Sequence, residues 1–171
     1  MKIKYLVIVS ALMVMSISCK KEKVEIKQDS SNAINLTKEE VKLENLGKKY
    51  FAVWIATQAV NASENDIENY LNLLVKDVGH QHFPYDNDDS RMPDSKENIR
   101  KGMMYYLGVH TEYNATLTSI TVGHDVLIIK YRSTSKGIHP QTKKEINSTK
   151  NIVEVLEIED EKVTMIRKYS K

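Results

Sequence analysis

The hydrophobic period of this chain changes once, near His110, and that change limits the fold more than any other feature. Before it, the residues that repeat along one face recur every three or four positions. Leu43, Leu46, Tyr50, Val53, Trp54 and Thr57 follow a Thr37/Glu40 capping box. Ile67, Tyr70, Leu71 and Leu74 follow Ser63 and Asp66, and Ile99, Met103, Tyr106 and Leu107 follow Ser95. The spacing predicts three helices, with Gly47 a weak point in the first and Gly108 a left-handed cap after the third. Between the second and third, His80 to Phe83 reads as a short strand ended by Pro84, followed by a Pro- and Asp-rich loop through Asp94. After His110 the period becomes two. Leu117 to Val122, Val126 to Arg132, Ile146 to Ile158 and Val163 to Tyr169 are rich in β-branched and aromatic residues, and turn residues separate them. Helices followed by a meander predict an α+β domain, its antiparallel sheet covered on one face by the helices.

The N-terminus is a different kind of segment. Lys2 and Lys4 precede an apolar run from Leu6 to Met15, broken only by Ser10, and Ser16-Ile17-Ser18-Cys19 follows. That run has the length of an export signal and falls short of the roughly 20 residues a spanning helix needs. It resembles a bacterial lipoprotein signal, with Ser16 where such signals usually carry leucine. The resemblance implies cleavage of residues 1–18, lipidation of Cys19 and a place in the bacterial cell envelope, held to a membrane by the lipid. Cys19 is the sole cysteine, so once it is lipidated no disulfide can form and the fold must rest on its core. Residues 19–36 are polar without a sustained period and read as a tether, leaving residues 37–171 as one domain. Loss of Lys2 and Lys4 with the signal leaves 25 − 2 = 23 basic against 23 acidic residues, a neutral balance without a nucleic-acid footprint.

From Leu43 to Lys171 the order of features resembles the nuclear-transport-factor-2-like, or SnoaL-like, domains. Trp54 lies in the first helix, Leu74-Val75-Lys76-Asp77-Val78 precedes a short strand ending in proline, and the last strand runs from Glu161-Lys162-Val163 to Arg167-Lys168-Tyr169. The resemblance implies three helices wrapped by a curved, mainly antiparallel sheet into a cone with an apolar pocket at its mouth. It also implies frequent pairing of two copies through the sheet. It does not imply one activity, because the same cone serves isomerases, cyclases, dehydratases and plain binders. The residues of ketosteroid isomerase carry over poorly: Phe83 precedes Pro84 where that enzyme has its aspartate base, Ala56 falls where it has a tyrosine, and its second carboxyl maps near Glu154.

Glu154 stands out independently. Within Ile152, Glu154, Leu156 and Ile158 it is the one ionisable group on an apolar face, where an unpaired carboxyl would have a raised pKa and could serve as an acid. If Val153 and Val155 face inward instead, Glu154 faces water. His80 and His82 share a face of their strand, while His110 follows the third helix. A His-x-His pair supplies two of the three ligands a zinc site needs, so neither a metal nor a cofactor is expected. The loop from Asp86 to Glu97 imitates the spacing of a calcium loop but has Arg91 at the turn glycine and is read as a solvated acidic loop. Two functions follow. The favoured one is a non-catalytic, membrane-anchored module whose pocket, lined by Trp54, His80, Tyr106 and His110, takes a small apolar ligand, or whose surface takes an envelope protein. The alternative is a cofactor-independent isomerase, cyclase or dehydratase in which His82 accepts a proton and Glu154 donates one.

Overall fold

The computed structural model describes residues 36–171. Residues 1–35, which carry the expected signal segment, Cys19 and nearly all of the expected tether, lie outside the described residues. Helix α1 runs Lys38–Gln58, α2 Glu64–Leu71 and α3 Ser95–Tyr105. Strands are β1 Leu74–Phe83, β2 His110–Val122, β3 Val126–Ile138, β4 Glu145–Glu159 and β5 Lys162–Ser170. The sheet order is β1-β5-β4-β3-β2, with β1 parallel to β5 and the remaining neighbours antiparallel.

Local chemistry starts the helices. Thr37 N donates to Glu40 Oε2 at 2.6 Å and Glu40 N donates back to Thr37 Oγ1 at 3.2 Å, completing the capping box of α1. The Ser63 amide and hydroxyl both donate to the Asp66 carboxylate, at 2.8 and 2.6 Å. Gly47, expected as a weak point, is buried, and a Cβ there would come within 3.2 Å of Ile120 Cγ2. Its missing side chain lets α1 lie close against the sheet. Gly108 takes the left-handed conformation expected of it, φ +73°.

The second helix and the first strand correct the sequence reading. Leu74 was expected on the helical stripe, whereas α2 stops at Leu71 and the chain is extended from Leu74 onward. Val163 N donates to Leu73 O at 2.9 Å, and Leu74 pairs with Val163. Pairing with β5, remote in sequence, overrides the local period. The strands β2 and β3 also exceed expectation, adding His110–Thr116 and Ser133–Ile138, which pair from Glu112 with Lys136 to Ala115 with Ser133, after an irregularity at His110, despite being mostly polar.

The core lies between the helices and the inner sheet face, where Leu71, Val78, Leu127, Ile129, Leu156 and Val163 are fully buried. Each such side chain contributes about 1.5–3 kcal/mol. Helix α3 has no fully buried residue: Ile99 and Met103 only lean on the core, and Tyr106 and Leu107, expected on its buried stripe, fall past its last residue, with Tyr106 48 % exposed. Ile99, Met103 and Tyr106 also border a cavity.

Candidate functional site

That cavity, about 860 Å³, opens between the C-terminal half of α1, β1, α3 and the ends of β4 and β5. Trp54, His80, His82, Tyr106 and His110, named from sequence, all border it. The strand geometry accounts for the two close histidines, since residues two apart on β1 project to the same side. His82 pairs with Lys168 of β5, which brings the lysine into the same wall. His110 Nδ1 lies 3.0 Å from Gln58 O at the end of α1, and Tyr106 Oη lies 3.5 Å from His139 Nε2 on the β3–β4 hairpin.

Glu154 faces inward but does not border the cavity. It is 1 % exposed and sits behind the wall, in register with Ile129 of β3 and Lys168 of β5. Tyr50 Oη donates to Oε2 at 2.8 Å, Tyr131 Oη donates to Oε1 at 2.6 Å, and Lys168 Nζ lies 3.2 Å from Oε1. Tyr50 and Tyr70 hydroxyls are 3.2 Å apart, extending the network to α2. Burial, the strongest influence on the Glu154 carboxyl, pushes its pKa up. The Lys168 ammonium and the tyrosine hydrogen bonds outweigh burial and hold it below the ordinary carboxylate value. The expectation of a raised pKa is therefore overturned: the face is apolar, but the carboxylate is not alone on it. Burial and then the Glu154 anion raise the pKa of both Tyr50 and Tyr131, which stay neutral donors.

Lys168 is the residue that sequence reading missed, together with Tyr50, Tyr70 and Tyr131. Its Nζ lies 4.2 Å from the centre of the Trp54 ring, so the ammonium is held between a carboxylate and an aromatic face. The signal was present as a lysine on the alternation of Ile166, but only the β4–β5 register reveals a glutamate opposite. His82 Nε2 is buried without a hydrogen-bond partner among the described residues. Burial and then Lys168 push the His82 pKa down to about 4, and the same two causes lower His80.

The cavity-edge carboxylates have local work. Asp86 Oδ1 accepts from Asp88 N at 3.1 Å and Asp88 Oδ1 accepts from Ser90 N at 2.9 Å, which shapes the β1–α3 loop. No cluster of three metal-ligating side chains occurs among the described residues.

The histidines predict an acid-sensitive fold. His80, His82 and His110 all have folded pKa values below the unfolded value of 6.5. The stability they contribute is full above about pH 6.5 and is lost as pH falls toward about 4, because the unfolded chain takes up protons that the folded chain refuses. Glu154, lowered from 4.5, adds a second loss below that value. The thermal midpoint should fall between pH 7 and 5, and His82→Gln should flatten part of that fall. A midpoint constant over that range would contradict the assignment.

No protein-family model matches the chain, and no curated protein matches it in sequence. Solved structures do match in shape. A protein of Shewanella denitrificans described as a SnoaL-like polyketide cyclase aligns with TM-score 0.60 and 11 % identity, over 77 % of this chain and 90 % of that one. An NTF2-like protein of Anabaena variabilis aligns with TM-score 0.56 and 15 % identity, over 80 % and 95 %. An LEH-like epoxide hydrolase of M. tuberculosis aligns with TM-score 0.54 and 12 % identity, over 78 % and 85 %. The chain thus has the NTF2-like cone fold, α+β with three helices on a five-stranded mixed sheet.

Proposed function

We propose that this protein is a cell-envelope lipoprotein, anchored through Cys19, whose cone domain binds a small and largely apolar ligand in the cavity beside Trp54. The observation that carries the binding reading is the state of the carboxylates. Glu154 is ionised and shut behind the wall by three donors, while Asp86 and Asp88 are engaged with loop amides. Glu154 is therefore no acid facing the cavity, and the carboxylates that do border it, Asp86 and Asp88, sit at the rim and hold the loop through one oxygen each. The walls meanwhile offer Trp54, Val78, Ile99 and Met103 as apolar surface, with polar groups such as His80, His82, Asn98 and Lys168 between them to orient a ligand. The anchor rests on the signal that ends at the chain's one cysteine.

A second reading, acid–base catalysis, keeps one support: His82 borders the cavity with an unpartnered nitrogen and is neutral above about pH 4. It lacks the proton donor first assigned to Glu154, since an ionised carboxylate has none to give.

Both parts of the proposal are tested on one variant. Cys19→Ala should move the protein out of the membrane fraction, and native mass spectrometry of that soluble protein should show a bound small molecule. Unchanged membrane fractionation would defeat the anchor. A pocket that neither retains nor takes up any apolar compound would defeat the binding reading.

A further inference from the structure

Among the polar groups of the cavity wall, the pair at His82 and Lys168 restricts the ligand beyond size. His82 and Lys168 are register partners on β1 and β5, so both side chains enter the cavity from adjacent points on one wall. The Lys168 side chain is only 12 % exposed, yet an ammonium has three N–H donors, and among the described residues its one acceptor contact is Glu154 Oε1 at 3.2 Å. The Trp54 face covers another side of it at 4.2 Å. At least one donor therefore remains for whatever occupies the cavity, and His82 Nε2 lies in the same wall without a partner. Leaving buried polar groups unpaired is costly, about 1–3 kcal/mol each, so an occupant that pairs with them is favoured over one that does not.

Charge decides the kind of acceptor. The cationic side chains on the wall are Lys150 and Lys168, and the anionic ones are Asp86 and Asp88 at the rim. Glu154 stands directly behind Lys168 and neutralises it. The histidines add no positive charge, because burial and Lys168 keep them neutral. The site as a whole carries no positive surplus, and a carboxylate placed on Lys168 would meet the Glu154 anion just beyond it. A carbonyl oxygen takes the hydrogen bond without that repulsion.

We infer that Lys168, positioned by Glu154, is the specificity-determining residue of this cavity and donates a hydrogen bond to an uncharged carbonyl oxygen on an otherwise apolar ligand. The inference rests on the reading of the cavity as a ligand site. Its test is calorimetric titration of the protein with three probes of one size: butylbenzene, which has no acceptor; butyrophenone, which adds a carbonyl; and 4-phenylbutyrate, which adds a carboxylate. Butyrophenone should bind about tenfold more tightly than butylbenzene, the order of a single charge-assisted hydrogen bond after its desolvation cost. That ratio should collapse toward one in Lys168→Met, and likewise in Glu154→Gln/Lys168→Met, which leaves no unpaired buried charge. Lys150→Met should preserve it. A ratio that survives Lys168→Met, or is lost in Lys150→Met, overturns the role given to Lys168. Tightest binding by 4-phenylbutyrate overturns the choice of an uncharged ligand. Failure of all three probes to bind the unmodified protein overturns the ligand-site reading itself, and the inference with it.

Discussion

Glu154→Ala is expected to destabilise the domain by about 3–5 kcal/mol, the usual cost of breaking a buried ion pair from one side. The substitution leaves the Lys168 ammonium, 12 % exposed, without its carboxylate and removes the acceptor of Tyr50 and Tyr131. Single domains hold only about 5–15 kcal/mol in total, so the loss should be plain in urea unfolding and large enough to impair accumulation of the protein. The pair should also be non-additive. Glu154→Gln/Lys168→Met keeps an acceptor for a tyrosine and removes both charges, and it should be more stable than Glu154→Ala by more than half of the single loss. A Glu154→Ala cost below about 1 kcal/mol would mean that the pair behaves as an exposed one, and the account of the buried network would fall.

The second large effect is expected at Gly137. This buried residue opposes His110 where β2 begins, and a Cβ built there would overlap the Val109 carbonyl oxygen and lie 3.1 Å from its carbonyl carbon. Both obstacles are backbone, and that oxygen also accepts from Ile138 N at 3.2 Å, so the neighbour cannot swing away as a side chain would. Gly137→Ala should cost about 1–3 kcal/mol by overpacking. It should also speed exchange of the Ile138 amide and weaken probe binding, since the same end of the hairpin carries His110 and the Tyr106–His139 contact. Gly123→Ala is the control: its nearest neighbour would be Val126 O at 3.7 Å, an ordinary contact. A Gly137→Ala protein within about 0.5 kcal/mol of the unmodified one would refute the close approach.

Much of the architecture was legible because its causes are local. Thr37 and Glu40 cap α1 through bonds three residues apart, Gly108 sits at the one left-handed glycine, and the change of period near His110 separates helix from strand. The strand at Leu74 was not legible, because the same residues satisfy a helical stripe until β5 supplies backbone partners. Polar Ser133 to Lys136 carried no apolar alternation and still pair along β2 and β4, since hydrogen bonds between strands do not depend on side-chain character.

The candidate site divides along the same boundary. The sequence by itself determined which residue types were available: an aromatic in α1, two histidines on one face of a strand, and a lone glutamate within an apolar alternation. It also carries the apolar run ending at Cys19 on which the proposed anchor rests. Only the tertiary structure decided what those residues are. Antiparallel register sets Lys168 opposite Glu154, the packing of α1 and β3 brings Tyr50 and Tyr131 to the same carboxylate, and parallel register sets His82 beside Lys168. Proton affinity follows from those neighbours. A buried carboxyl alone would hold its proton; the same carboxyl facing an ammonium and two hydroxyls releases it, because the fixed donors replace the water that burial removed.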